Sequence, residues 1–192
     1  MKKLTNFLHR YLGLTAGLAT FILGLTGCLM VLIKPLAKQS GNESLRSVVG
    51  FLKSGHMRLW IDAEASDTIV GVLMIGFLLL LITGFFMWLR TKCWWPRGKR
   101  TKRSRLFYLH TLLGLYLLPL LLYFAVTATL CSLPALRGMV GLEESWRSFF
   151  CVHSGHFWGS AGKWIAGLSG LAVTVLSFTG LLIWWNKQKM HK

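Results

Sequence analysis

Six histidines are the residues of this 192-residue chain best suited to chemistry. Imidazole binds transition metals and changes charge near neutral pH. Five of the six stand near the end of an apolar stretch: His9 and His110 at one end, and His56, His153 and His156 at the other. His191 sits in the tail and reads as solvated. The first two begin matching segments. His9-Arg-Tyr-Leu-Gly13-Leu14 sets beside His110-Thr-Leu-Leu-Gly114-Leu115, and Thr26 then falls opposite Thr127, at one gapless offset of 101. A second match runs at an offset of 96, from Thr83-Gly84 through Trp88 to Thr179-Gly180 through Trp184. At the other end His56 stands 27 residues before Thr83, His153 stands 26 before Thr179, and His156 stands 23 before it. Spacing therefore pairs His56 with His153. A shared Ser-Gly-His tripeptide, residues 54–56 and 154–156, keeps His156 as the alternate.

Two histidines related by a twofold axis can approach one metal atom from opposite sides. Haem iron accepts one axial ligand on each face. The glycines agree with such a use. His9, Gly13, Gly17, Gly24 and Gly27 fall within about 80° of arc on a helix of ~3.6 residues per turn. That stripe removes side chains where a flat macrocycle would lie against backbone, and Gly114 repeats the step after His110. The plainer alternatives are close helix packing for the glycines and hydrated headgroup-level residues for the histidines. An ionisable residue tied to a membrane helix is nevertheless a functional candidate by default.

The elements that would carry these residues are apolar helices. Apolar residues make up 54% of the chain, charged residues only 15%, and nine residues are Trp. Four stretches reach the ~20 apolar residues needed to cross a bilayer. They are Leu12–Ile33, Thr68–Leu89, Leu106–Leu133 and Trp164–Trp185, with His110 the one ionisable side chain other than Tyr and Cys within them. The expected fold is an all-α integral membrane protein, a four-transmembrane-helix bundle made of two parallel two-helix repeats. Repeat one covers 1–90, with helices about 11–33 and 68–90. A basic loop covers 91–105, and repeat two covers 106–192, with helices about 106–133 and 163–185. Two repeats of one orientation imply a pseudo-twofold axis along the membrane normal, and bundle interiors hold cofactors between facing helices. The outer connections, each of about thirty residues, are too short for a substantial independent domain.

The net charge of +16 is distributed unevenly. Lys2, Lys3 and Arg10, the basic run from Arg90 to Arg105, and Lys187, Lys189 and Lys192 share one side with no acid. All six acids fall in the other two connections. Basic residues stay on the cytoplasmic side, so both termini and the middle loop are expected inside. This bias accounts for the charge and leaves no call for a nucleic-acid partner. Lys2-Lys3 and the apolar run to Leu25-Thr-Gly-Cys28 imitate a lipoprotein cleavage box, but the repeat favours a retained helix. The four cysteines match no zinc spacing. No Gly-x-Gly-x-x-Gly fingerprint for a nicotinamide cofactor is present.

The segments quoted above resemble a known family. Leu8-His9-Arg10-Tyr11-Leu12-Gly13-Leu14 with Gly24-Leu-Thr-Gly27 resembles the first helix of the PepSY-associated transmembrane family, which includes iron-regulated membrane proteins and ferric-siderophore reductases. Ile69-Val70-Gly71, Thr83-Gly84 and Trp94-Trp95-Pro96-Arg97 resemble its second helix and the end of that helix. His110 to Pro119 resembles its third. His153-Ser-Gly155, Gly162-Lys163-Trp164 and Thr179-Gly180 to Trp184-Trp185 resemble its Leu-His-Thr-Gly segment and last helix. Family members usually carry sizeable PepSY domains in the outer connections, for which there is no room here. The Trp-Trp-Pro-Arg motif is displaced into the loop, and Val152 stands where Leu is expected.

The resemblance implies b-type haem ligands at His9, His56, His110 and His153, and a place in a bacterial cytoplasmic membrane. The expected protein carries two haems, His9 with His110 and His56 with His153. It passes electrons from a quinol or a cytoplasmic reductase to an outer acceptor such as ferric iron or a ferric siderophore. Membrane lipid is its solvent. Arg10, Arg58, Arg105 and Lys163 are candidate partners for haem propionates. Two rival readings use the same residues: a histidine-based metal-ion binder or transporter, and a cofactor-free scaffold or partner subunit.

Overall fold

The computed structural model describes residues 2–91, 102–139, 141 and 146–188. The Trp-Trp-Pro-Arg motif, Cys93, Glu143, Glu144 and His191 lie outside the described residues. The described residues are almost all helical, with short turns between the helices and no strand among them. Three helices are long and apolar enough to cross a membrane: α1 (Lys2–Ser40), α3 (Ala63–Thr91) and α8 (Gly159–Gln188). Two shorter helices, α4 (Lys102–Tyr116) and α5 (Leu118–Ser132), meet at a 68° bend and make a further span when counted together. The connections contain α2 (Glu43–Arg58), α6 (Pro134–Met139) and α7 (Trp146–His153), followed by a 3₁₀ turn at His156–Trp158.

The helices run past the apolar windows that announce them, α1 from Lys2 to Ser40 and α3 from Ala63 to Thr91. The expected single helix over 106–133 is instead two. Pro119 stands in the first turn of α5. It has no N–H to give the Leu115 carbonyl, and its ring crowds that carbonyl. The chain answers by bending at Leu117, while the flanking bonds from Leu117 N–H to Leu113 and from Leu121 N–H to Leu117 survive.

The connections are more ordered than their composition suggests. Asn42 caps α2, its Oδ1 accepting from the amides of Ser44 (2.8 Å) and Leu45 (3.4 Å). Such a cap contributes about 1 kcal/mol. At the other end of α2 both Leu59 (φ 51°) and Trp60 (φ 59°) take left-handed backbone. Each L-residue there costs about 1–2 kcal/mol.

Packing differs from that of a water-soluble protein in what lies outside and in the hydroxyls that lie inside. Leu18, Val72, Leu79 and Phe178 face outward, while the threonines at 20, 26, 83, 127, 129, 174 and 179 are buried. Large apolar side chains outside and small hydroxyls inside suit a lipid solvent, where close approach and internal hydrogen bonds drive association. The hydroxyls spend their protons locally: Thr26, Thr83, Thr127 and Thr179 each donate to a carbonyl one turn back. The apolar core joins α1, α3, α5 and α8 through Leu23, Met74, Phe77, Leu81, Leu121 and Leu176. Its tightest seam is between α1 and α8. A Cβ on Gly24 would stand 2.7 Å from the Gly170 carbonyl oxygen, and one on Gly170 would stand 2.8 Å from that of Gly24.

Candidate functional site

The packing brings four of the six histidines together in two pairs. At the end where α1 begins and α8 finishes, the rings of His9 and His110 lie 6.5 Å apart, centre to centre, at 74°. At the end bearing α2 and α7, His56 and His153 lie 6.2 Å apart at 20°. The level of the second pair on α1 is Gly27, because a Cβ there would meet the His56 ring at 2.7 Å. Eighteen residues separate His9 from Gly27, about 27 Å at 1.5 Å per residue. That nearly spans a hydrocarbon core of about 30 Å. His156 stands apart; it is exposed and hydrogen-bonded to Ser154 (2.7 Å).

Each paired ring is oriented by its Nδ1. Nδ1–H of His9 donates to Thr83 Oγ1 at 3.0 Å, and that of His110 to Thr179 Oγ1 at 2.9 Å. His153 donates to Thr127 Oγ1 at 3.1 Å. The direction follows from counting protons. A threonine hydroxyl has one hydrogen, and all three have given theirs to a carbonyl at 2.7 to 2.9 Å. Each must then accept from the ring. His56 settles the point without a hydroxyl, since its Nδ1 faces the Leu23 carbonyl at 2.8 Å, which only accepts. All four rings are thus held as Nδ1–H tautomers, with the lone pair on Nε2. A metal-binding histidine is held this way, by a fixed donor bond on its other nitrogen.

Glycines make room for these rings. A Cβ on Gly84 would meet His9 Cε1 at 3.1 Å, and one on Gly180 would meet His110 Cε1 at 3.2 Å. The two Thr-Gly steps are therefore seats: the threonine accepts from the ring and the glycine lets it lie against the helix. Thr26-Gly27 seats His56 in the same place, though through the Leu23 carbonyl. The sequence uses Thr127, Thr83 and Thr179 only to align the halves, and their recurrence at matching places was the signal for their role.

A cavity of about 370 Å³ opens beside the first pair. His9, His110, Gly13, Gly114, Gly17 and Trp88 are among its walls. Gly13 and Gly114 meet only ordinary contacts there, with Leu80 and Leu176. Arg10 also lines it, and its Nε is buried without a hydrogen-bond partner among the described residues. At the other pair, both rings lie outside the spanning helices. Burial lowers His56 below its ordinary pKa, and burial together with the neighbouring His56 lowers His153 to about 4. Both are therefore neutral at pH 7, as ligands must be. Among the described residues no three His, Cys, Asp or Glu side chains gather in one place.

A multi-pass membrane protein with a pair of tautomer-locked imidazoles toward each end of its helices is the class that fold and site define. The chain belongs to the family described as the PepSY-associated TM region, whose model matches residues 34–145 and 139–187. His56, His110 and His153 fall within the matched residues, and His9 precedes them. No curated protein and no solved structure matches the chain.

Proposed function

We propose that this chain is a transmembrane electron-transfer protein whose two histidine pairs each hold one b-type haem. Imidazoles bound to one metal atom at about 2 Å on each side hold their ring centres about 6 Å apart, against 6.5 and 6.2 Å here. This separation is the observation that carries the reading. The donor set supports it. A bare transition-metal ion in a protein takes about four ligands, and no third His, Cys, Asp or Glu joins either pair among the described residues. Haem iron asks the protein for two. This disfavours a metal-ion carrier.

The chain's own residues divide the work. His9 and His110 would hold one haem, and His56 and His153 the other. Thr83, Thr179, Thr127 and the Leu23 carbonyl fix the rings and make them better donors. Gly84, Gly180 and Gly27 give the rings room. Arg10 offers an unpaired N–H to a haem carboxylate at the wall of the first cavity. Bound haem supplies one-electron redox chemistry, with the protein contributing ligation, burial and charge.

In this reading α1, α3, the α4–α5 pair and α8 form a four-helix bundle of two repeats in the bacterial cytoplasmic membrane. The basic side, with both termini and the His9–His110 pair, faces the cytoplasm. Electrons enter there from a quinol or a reductase and leave at the His56–His153 end, with ferric iron or a ferric chelate as acceptor.

A pyridine haemochrome assay with a protein determination should find two haems per chain. His9→Ala and His110→Ala should each turn the same haem high-spin or release it, leaving the other low-spin. The double variant should be little worse than either single one, because partners in one unit are not additive. Colourless, haem-free protein expressed with ample haem would leave the scaffold reading instead.

A further inference from the structure

The two left-handed residues at the end of α2 lie three and four places beyond His56. L-residues avoid this backbone because Cβ crowds the following carbonyl, so other contacts must hold it. The Leu59 amide donates to Gly55 O (3.0 Å), the Trp60 amide to Ser54 O (3.5 Å) and the Ile61 amide to Arg58 O (2.9 Å). The chain thereby reverses and lays the Trp60 indole back on α2. Indole Nε1–H donates to the Phe51 carbonyl at 3.0 Å, and the Trp60 and Phe51 rings sit 5.0 Å apart. The indole covers Gly55 so closely that a Cβ there would overlap its Cζ2 and Cε2. Gly55 is the residue before His56. Repeat two holds His153 differently: its reversed turns fall on glycines, Gly155 (φ 74°) and Gly159 (φ 65°).

We infer that Trp60 is a positioning residue for His56: the left-handed Leu59–Trp60 turn clamps the indole over Gly55 and holds the last turn of α2 so that the His56 ring stays opposite His153. The clamp has a physical task. A helix end frays because its last carbonyls lack partners, and this end lies in a connection rather than in a spanning helix. His56 reaches α1 through one hydrogen bond to Leu23 and its seat on Gly27. A fraying last turn would withdraw the ring from both. Trp60 and the strained turn are what a ligand on a short connecting helix needs and a ligand within a long helix, such as His9, does not.

The inference rests on the haem reading, and its test separates the two. The full chain, loaded with haem, is compared with Trp60→Ala, Trp60→Phe, Gly55→Ala and Leu59→Gly. In Trp60→Ala and Gly55→Ala the haem of the His56–His153 pair should become high-spin. Once reduced, it should bind carbon monoxide at least tenfold more readily than the unaltered chain. The His9–His110 haem stays low-spin and serves as the folding control. Trp60→Phe keeps a ring over Gly55 and should fall between. Leu59→Gly accepts the left-handed backbone freely and should keep the unaltered spectrum. Amide exchange over residues 52–58 reads the clamp without any cofactor, and Trp60→Ala should speed it tenfold or more relative to α1. Low-spin spectra at both sites in Trp60→Ala and Gly55→Ala overturn the inference, as does loss of both haems together or unchanged exchange. Unaltered protein that binds no haem but shows the exchange effect sinks the haem reading and leaves the clamp standing.

Discussion

At the scale of single residues, orientation of the imidazoles is a matter of proton counting. A hydroxyl that has spent its hydrogen on its own helix can only accept, so it selects the Nδ1–H tautomer and leaves Nε2 as the donor atom. Thr83 does this for His9. Thr83→Val keeps the shape of the side chain and removes the acceptor. With the haem reading, the affinity of the His9–His110 site should fall about 10–100-fold, the usual cost of losing such an outer partner. The fold should lose only about 1 kcal/mol. Haem titration of the cofactor-free protein, with thermal unfolding beside it, separates the two effects. Equal affinity in Thr83→Val would mean that the seat on Gly84 is sufficient by itself to hold the ring.

At the scale of elements, the glycines are not equivalent although they fall on one stripe. Gly24 is where α1 and α8 touch backbone to backbone. Gly17 has nothing within 4 Å of a built Cβ and instead faces the cavity. Gly50, in the middle of α2, also has open space. Gly24→Leu should therefore push α1 from α8 and lower stability in detergent by about 1–3 kcal/mol, the cost of overpacking. Gly50→Ala should raise it by about 0.5–1 kcal/mol, because glycine in a helix interior is unfavourable. Thermal unfolding of both variants checks the contrast, and equal behaviour would mean that α1 and α8 do not meet at this seam. The bend at Leu117 belongs to the same scale: one proline turns an apolar run of one span's length into two helices.

At the scale of the molecule, the orientation proposed for the chain rests on its charge asymmetry. Basic residues cluster at both termini and from Arg90 to Arg105, whereas all six acids lie in the other two connections. Cys93 belongs to that basic stretch. In intact cells it should be labelled by a membrane-permeant maleimide and protected from an impermeant one, while exposed Cys151 should react with both. Labelling of Cys93 from outside would invert the protein and, with it, the direction of electron flow proposed here.

Much of this was legible in the chain alone, for a physical reason: lipid admits few solutions. A run of about twenty apolar residues has to be helical to satisfy its backbone. A gapless offset of 101 carries His9 onto His110 whatever the packing, and the spacing to Thr83 and Thr179 pairs His56 with His153, with His156 as the alternate. The family likewise followed from short motifs in order. Only the packed helices decided what those residues touch. Distances of 6.5 and 6.2 Å between rings, the hydroxyls that lock their tautomers and the unpaired Arg10 Nε depend on contacts between residues as many as 101 positions apart. Periodicity has no term for that separation. The break at Leu117 was missed, although Pro119 carries a signal for it, and its 68° angle depends on how α4 and α5 pack. The Trp60 clamp is less legible still, because its left-handed backbone falls on Leu and Trp, the residue types from which a local rule would least expect it.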